Sequence, residues 1–141
     1  MHELIRLAVV AAGFASASVA WSQELSLGQR EYESNCAVCH GKSGKGDGPV
    51  AQVIIGTVPD LTALTTNNKG VFPVERMYEV IDGRAEIVAH GLRDMPVWGY
   101  EYSSEAARQM AATPDGVGDT QAFVRGRILA LIEYISTLQA K

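Results

Sequence analysis

NCAVCHGKSGKGDGPVA, residues 35–51, sets Cys36, Cys39 and His40 within five positions and runs on into a glycine-rich loop. These are the chain's two cysteines, and four chemistries compete for them. A Cys36–Cys39 disulfide or redox dithiol belongs on a βαβ pattern, which the sequence lacks. Structural zinc needs four nitrogen or sulfur ligands in a tetrahedron. Cys36, Cys39, His40 and His90 make that count, but a second closely spaced pair is missing. His40, directly beside Cys39, is also poorly placed to join both cysteines on one small ion. Covalent haem accounts for every element of the motif. Two thiols adding to neighbouring vinyl groups must stand a fixed distance apart on one side of the porphyrin. Two intervening residues bring both sulfurs to that edge, and His40 is then carried under the ring as an axial ligand.

The surrounding chain is compatible with a small cofactor-bearing domain. Its 141 residues are 47% hydrophobic and 20% charged, ordinary for one globular unit. A net charge of −4 gives no clustered basic surface for nucleic acid. Residues 1–22 read as an export signal. Arg6 supplies the positive end, Leu7 to Ala15 an apolar run, and the small residues around Ala20 and Ser22 the cleavage sites. The apolar run falls well short of the ~20 residues a spanning helix needs. The expected organisation is therefore a signal peptide at 1–22 and a periplasmic domain at 23–141 with no membrane span. The mature domain keeps a net charge of −4, because Glu3 and Arg6 leave together.

Helical patterns dominate that domain. ELSLGQREYESNC, residues 24–36, leads into the cysteine motif, with Ser26 and Gln29 at capping-box spacing. FPVERMYEVIDG, residues 72–83, carries Val74, Met77, Tyr78 and Ile81 on one stripe, with Pro73 at its start and Gly83 at its end. Residues 103–112 suit a short helix. In residues 120–139, Val124, Ile128, Leu131, Ile135 and Leu138 trace one face. No stretch alternates as a strand, and residues 41–72 look irregular. Loops this long, studded with apolar residues, need something to bury against. The expected fold is all-α, with long loops wrapped around one large apolar cofactor.

The sixth position on iron has four candidates. Met77 lies on a buried stripe and suits the core, Met110 has no supporting motif, and His90 would give a bis-histidine site. Met95 is favoured, because Pro96 keeps its backbone extended and Trp98 stands ready to wall the crevice. CAVCHG at 36–41, GDGP at 46–49, PDLT at 59–62, DMPVWG at 94–99 and an amphipathic last helix together resemble bacterial monohaem class I cytochromes c. The resemblance covers essentially the whole mature chain. It implies one covalently attached haem c, with His40 and Met95 as axial ligands and the carbonyl of Pro49 against His40. It also implies a crossing of first and last helices at Gly28, Tyr32 and Tyr134. The stretch from Tyr100 to Thr120 is longer than a minimal class I domain has.

The function so implied is a soluble periplasmic one-electron carrier, not itself an enzyme. It would work between a donor and an acceptor redox protein, as a monomer or weakly associating chain. The alternative is a haem-bearing subunit of a periplasmic dehydrogenase or oxidase complex, or a peroxidase-like haem if Met95 is not a ligand. Lys42, Lys45 and Arg93 lie near the haem motifs, where they read either as solvated loop charge or as a local positive rim. Glu31, Glu33, Glu75, Glu79 and Asp82 belong to an acidic remainder that gives a predominantly negative body.

Overall fold

Ser26 starts the first helix by accepting the N–H of Gln29 at 3.2 Å. The computed structural model describes residues 24–54, 56–83, 95–112 and 118–140. The signal peptide expected at 1–22, together with His90 and Arg93, lies outside them. Only half of the expected capping box forms, since the Gln29 amide turns away to Glu33 at 2.9 Å. Helix α1 (Leu27–Glu31) continues without a break into a π turn (Tyr32–Cys36) and then α2 (Ala37–His40). The Ala37 N–H reaches back five residues to the Tyr32 carbonyl, which adds one residue to that turn. Turns of this kind are common at functional sites. The helix thus runs four residues beyond its expected end, and Cys36, Cys39 and His40 all sit on it.

Helix α6 (Thr120–Thr137) is the frame against which the others pack. Asp119 caps it, accepting the N–H groups of Gln121 and Ala122 at 2.8 and 3.1 Å. Its buried residues are Val124, Ile128, Leu131, Ile132 and Ile135, the expected face widened by Ile132. Leu138 caps the end and packs against the core. α1 crosses α6 at Gly28, where a Cβ would run into the Ala130 carbonyl. One turn on, the Tyr32 ring tilts against Tyr134 with centroids 5.3 Å apart. The small-residue and aromatic crossing is in place.

Helix α4 (Val74–Asp82) begins one residue after Pro73 and ends at Gly83, whose φ of 95° is left-handed, a conformation that costs glycine little. Met77 and Ile81 are its buried residues, so Met77 belongs to the core. Helix α5 (Trp98–Ala111) starts five residues before the expected 103–112 and packs on α4 and α6. The region expected to be irregular holds single 3-10 turns at Ala51–Val53 and Leu61–Ala63, followed by the short helix α3 (Leu64–Asn67). The architecture is all-α, with no strand among the described residues. Among those residues no helix is long and apolar enough to cross a membrane.

Glu31, one of the acidic residues of that predominantly negative body, is only 6% exposed. Its carboxylate pairs with Arg127 of α6 and accepts the Tyr102 hydroxyl at 3.1 Å and the Asn35 amide at 3.0 Å. Arg127 also reaches Glu105 of α5 at 3.0 Å and lies 4.8 Å over the Phe123 ring. A buried carboxylate survives only when its charge is paired and its lone pairs are filled. Asn35 lies one turn along the same helix, but Tyr102 and Arg127 come from 71 and 96 positions away in the chain.

Candidate functional site

The site grows from the end of the first helix. Cys36 closes the π turn with its thiol buried, and Cys39 lies one turn on, half-buried; both are free. Burial, and then the nearby Glu31 carboxylate, pushes the Cys36 thiol up to about 12. It therefore stays protonated and uncharged at neutral pH.

His40 is buried, and its Nδ1 lies 3.2 Å from the carbonyl of Pro59. A carbonyl can only accept, so Nδ1 carries the proton and Nε2 keeps its lone pair. Burial lowers the His40 pKa, and the Pro59 bond opposes that shift. The result is a neutral imidazole with one nitrogen anchored and the other ready to bind a metal, the usual arrangement of a ligating histidine.

The proline facing His40 is Pro59, not Pro49. Gly41, at φ 78°, turns the chain out of α2. Gly46 N–H then bonds the His40 carbonyl at 2.8 Å, Gly48 N–H that of Cys39 at 3.0 Å and Val50 N–H that of Val38 at 3.0 Å. The loop therefore winds backwards along α2, which leaves Pro49 exposed beside Val38 and Cys39. Pro59 arrives from the PDLT segment instead. Asp60 accepts both the N–H and the hydroxyl of Thr62 at 2.7 Å, and Leu61 N–H bonds the Gly44 carbonyl at 2.7 Å. Those Thr62 bonds hold the Asp60 carboxyl below the usual carboxylate range. Tyr32 closes the helix end from below, its hydroxyl donating to the Gly41 carbonyl at 2.7 Å. An aspartate followed two residues later by threonine is a local turn signal. It was present in the quoted PDLT, yet local pattern does not say which proline reaches the histidine.

Met95 is half-buried and packs against the core that includes Cys36, Met77 and Ile81. Pro96 follows it, and the Val97 carbonyl accepts the N–H groups of Tyr100 and Glu101 in the first turn of α5 at 3.1 and 3.3 Å. Trp98 stands on the first turn of that helix, its ring 5.9 Å from that of Tyr102. Met110 sits near the far end of α5, its sulfur accepting the Thr120 hydroxyl at 3.6 Å. Lys42 and Lys45 are exposed on the loop after His40. Among the described residues no group of three or more His, Cys, Asp and Glu is placed to hold a metal ion, so the zinc reading gains nothing from them.

The donor set fits a c-type haem. Two free thiols stand three positions apart on one helix, an imidazole presents a lone-pair nitrogen beside them, and a thioether lies against the same apolar core. Such a set combines soft sulfur and imidazole donors, which suit haem iron.

No curated protein and no solved structure matches the chain. Residues 23–112, from α1 through α5 and including the CAVCHG, GDGP, PDLT and DMPVWG stretches but not α6, match the family model described as cytochrome c oxidase, cbb3-type, subunit III, and the chain belongs to that family of c-type cytochrome domains, whose work is haem-based electron transfer.

Proposed function

We propose that this chain is an exported one-electron carrier holding a single haem c, attached through Cys36 and Cys39 and ligated by His40 and Met95. The observation that carries the reading is the His40 ring, anchored at Nδ1 by Pro59 next to two free thiols on the same helix. When bound, the haem supplies a one-electron Fe(III)/Fe(II) couple. Cys36 and Cys39 would hold it through thioether bonds, and His40 would offer Nε2 from a ring whose Nδ1 is anchored by Pro59. Met95 would supply the thioether donor, and iron held by both a histidine and a methionine suits electron transfer over substrate activation. A thioether ligand and an apolar surround both favour the reduced, less charged iron.

Its partners are then a donor and an acceptor protein, met in the periplasm after loss of residues 1–22. Lys42 and Lys45, exposed beside His40, offer charge for a salt-sensitive encounter. A second reading, the haem-bearing subunit of an oxidase complex, is favoured by the description of the matching family.

The test is the optical spectrum of protein exported from a host with c-type maturation machinery, oxidised and reduced. The expected result is a low-spin c-type spectrum with the weak red band of methionine-ligated ferric iron. Cys36→Ala should leave at most one thioether, and Met95→Ala should abolish the red band and lower the potential. A colourless product beside a control cytochrome that matures overturns the reading. Co-elution of the native chain with a membrane oxidase would select the subunit over the free carrier.

A further inference from the structure

α6 ends at Thr137, but two residues later the chain makes a long-range contact through both ends of one amide. Gln139 Nε2 donates to the Leu61 carbonyl at 2.7 Å and to the Ile135 carbonyl at 3.0 Å. Its Oε1 accepts the Thr65 N–H at 2.9 Å. Beside it, the Ala140 N–H bonds the Thr62 carbonyl at 2.9 Å. A backbone N–H can only donate and a carbonyl only accept, so these partners fix which end of the amide is which. No side chain but a carboxamide both donates to Leu61 and accepts from Thr65 with this reach; a carboxylate or an ammonium would satisfy one end and repel the other.

The stretch held in this way, Leu61 to Thr65, begins two residues after the carbonyl that anchors His40. Pro59 is therefore secured from two sides: through Leu61 N–H to Gly44 on the loop beneath His40, and through Gln139 to the end of α6. We infer that Gln139 is a positioning residue for His40, acting through the Leu61–Thr65 turn and the Pro59 carbonyl; this rests on the reading of His40 as an axial ligand. A firm Nδ1–H···O=C bond makes Nε2 a stronger donor, and a stronger donor favours ferric iron. Loosening the turn weakens that bond and moves the couple toward the ferrous form.

The experiment is a mediated redox titration of the holoprotein as parent, Gln139→Met, Gln139→Glu and Ser26→Ala, with the melting temperature of each. Gln139→Met keeps the bulk and removes every hydrogen bond of the amide. Ser26→Ala removes a helix cap from α1 without touching the turn, so it controls for lost stability alone. Gln139→Met is expected to shift the ferric–ferrous equilibrium toward ferrous iron by roughly threefold or more, a fraction of what losing an outer-shell partner outright can cost. Gln139→Glu, which keeps the acceptor and loses the donor, should shift it the same way. Ser26→Ala should melt earlier at an unchanged potential. A parental potential in Gln139→Met, or an equal shift in Ser26→Ala, overturns the inference and leaves Gln139 a purely structural tie. His40→Ala run alongside separates the two readings. If it leaves the low-spin haem spectrum intact, the ligand lies elsewhere and both readings fall; if it abolishes that spectrum, only the role of Gln139 is at stake.

Discussion

At Gly28, α1 meets α6 with backbone against backbone; three residues later, at Glu31, the same helix meets α5 and α6 through charge. The first contact is dry and steric. A missing side chain lets the Ala130 carbonyl approach, and the buried Tyr32 ring then covers the junction against Tyr134. The second holds a carboxylate away from water, and Arg127, Tyr102 and Asn35 offset the cost. Apolar packing sets how close two helices come but tolerates small slides, whereas hydrogen bonds are directional. The steric contact therefore fixes the distance of the helix that carries Cys36, Cys39 and His40 from the frame. The polar one fixes the register of α5, whose first turn carries Trp98 and follows Met95.

The comparison can be broken most forcefully at Arg127. Arg127→Leu strands the buried Glu31 carboxylate and should cost about 4 kcal/mol of unfolding free energy, read by denaturant melts of the holoprotein; a loss near zero would mean that water reaches Glu31. Gly28→Val forces a side chain into the Ala130 carbonyl, and a loss of about 3 kcal/mol is expected. That variant should respond little to salt, because no charge takes part. Tyr102→Phe keeps the ring and deletes one bond to a buried charge, so about 2 kcal/mol is expected. It also gives a pH signature. Burial, and then the Glu31 charge, raises the Tyr102 pKa above its ordinary value. The unfolded chain therefore loses this proton first as pH rises. The contribution of Tyr102 is complete below the ordinary tyrosine pKa of about 10 and is lost as pH climbs toward the folded value. Tyr102→Phe should remove that alkaline component, and an unchanged slope would place the hydroxyl in contact with solvent.

Much of the fold was legible because it is written in short-range pattern. The α4 stripe and its Gly83 stop, the buried face of α6 and the Ser26 cap all depend on residues within a few positions of one another. The core role of Met77 followed from the same periodicity. The site was legible where spacing is itself the chemistry: Cys36, Cys39 and His40 can be read as one unit wherever the chain goes. The burial of Glu31 was not legible, for the opposite reason. A lone glutamate on a helix is solvated unless something distant pairs with it, and Arg127 lies 96 positions away. The early start of α5 at Trp98 was hidden too, because Pro96 and a run of bulky residues give little local helix signal, while packing on α4 and α6 stabilises the extra turn.

Local pattern was enough for the helical class, the grouping of Cys36, Cys39 and His40, and the faces that make the core, since periodicity and spacing act within one or two turns. Only the tertiary structure decided which proline anchors His40, which carboxylate is buried, and that the last residues of the chain reach back to the Pro59 turn. Each of these depends on a polar group finding its partner across a long stretch of chain. Hydrogen bonds of that kind are worth forming only after apolar packing has brought the two segments together and removed the water that would otherwise serve as partner.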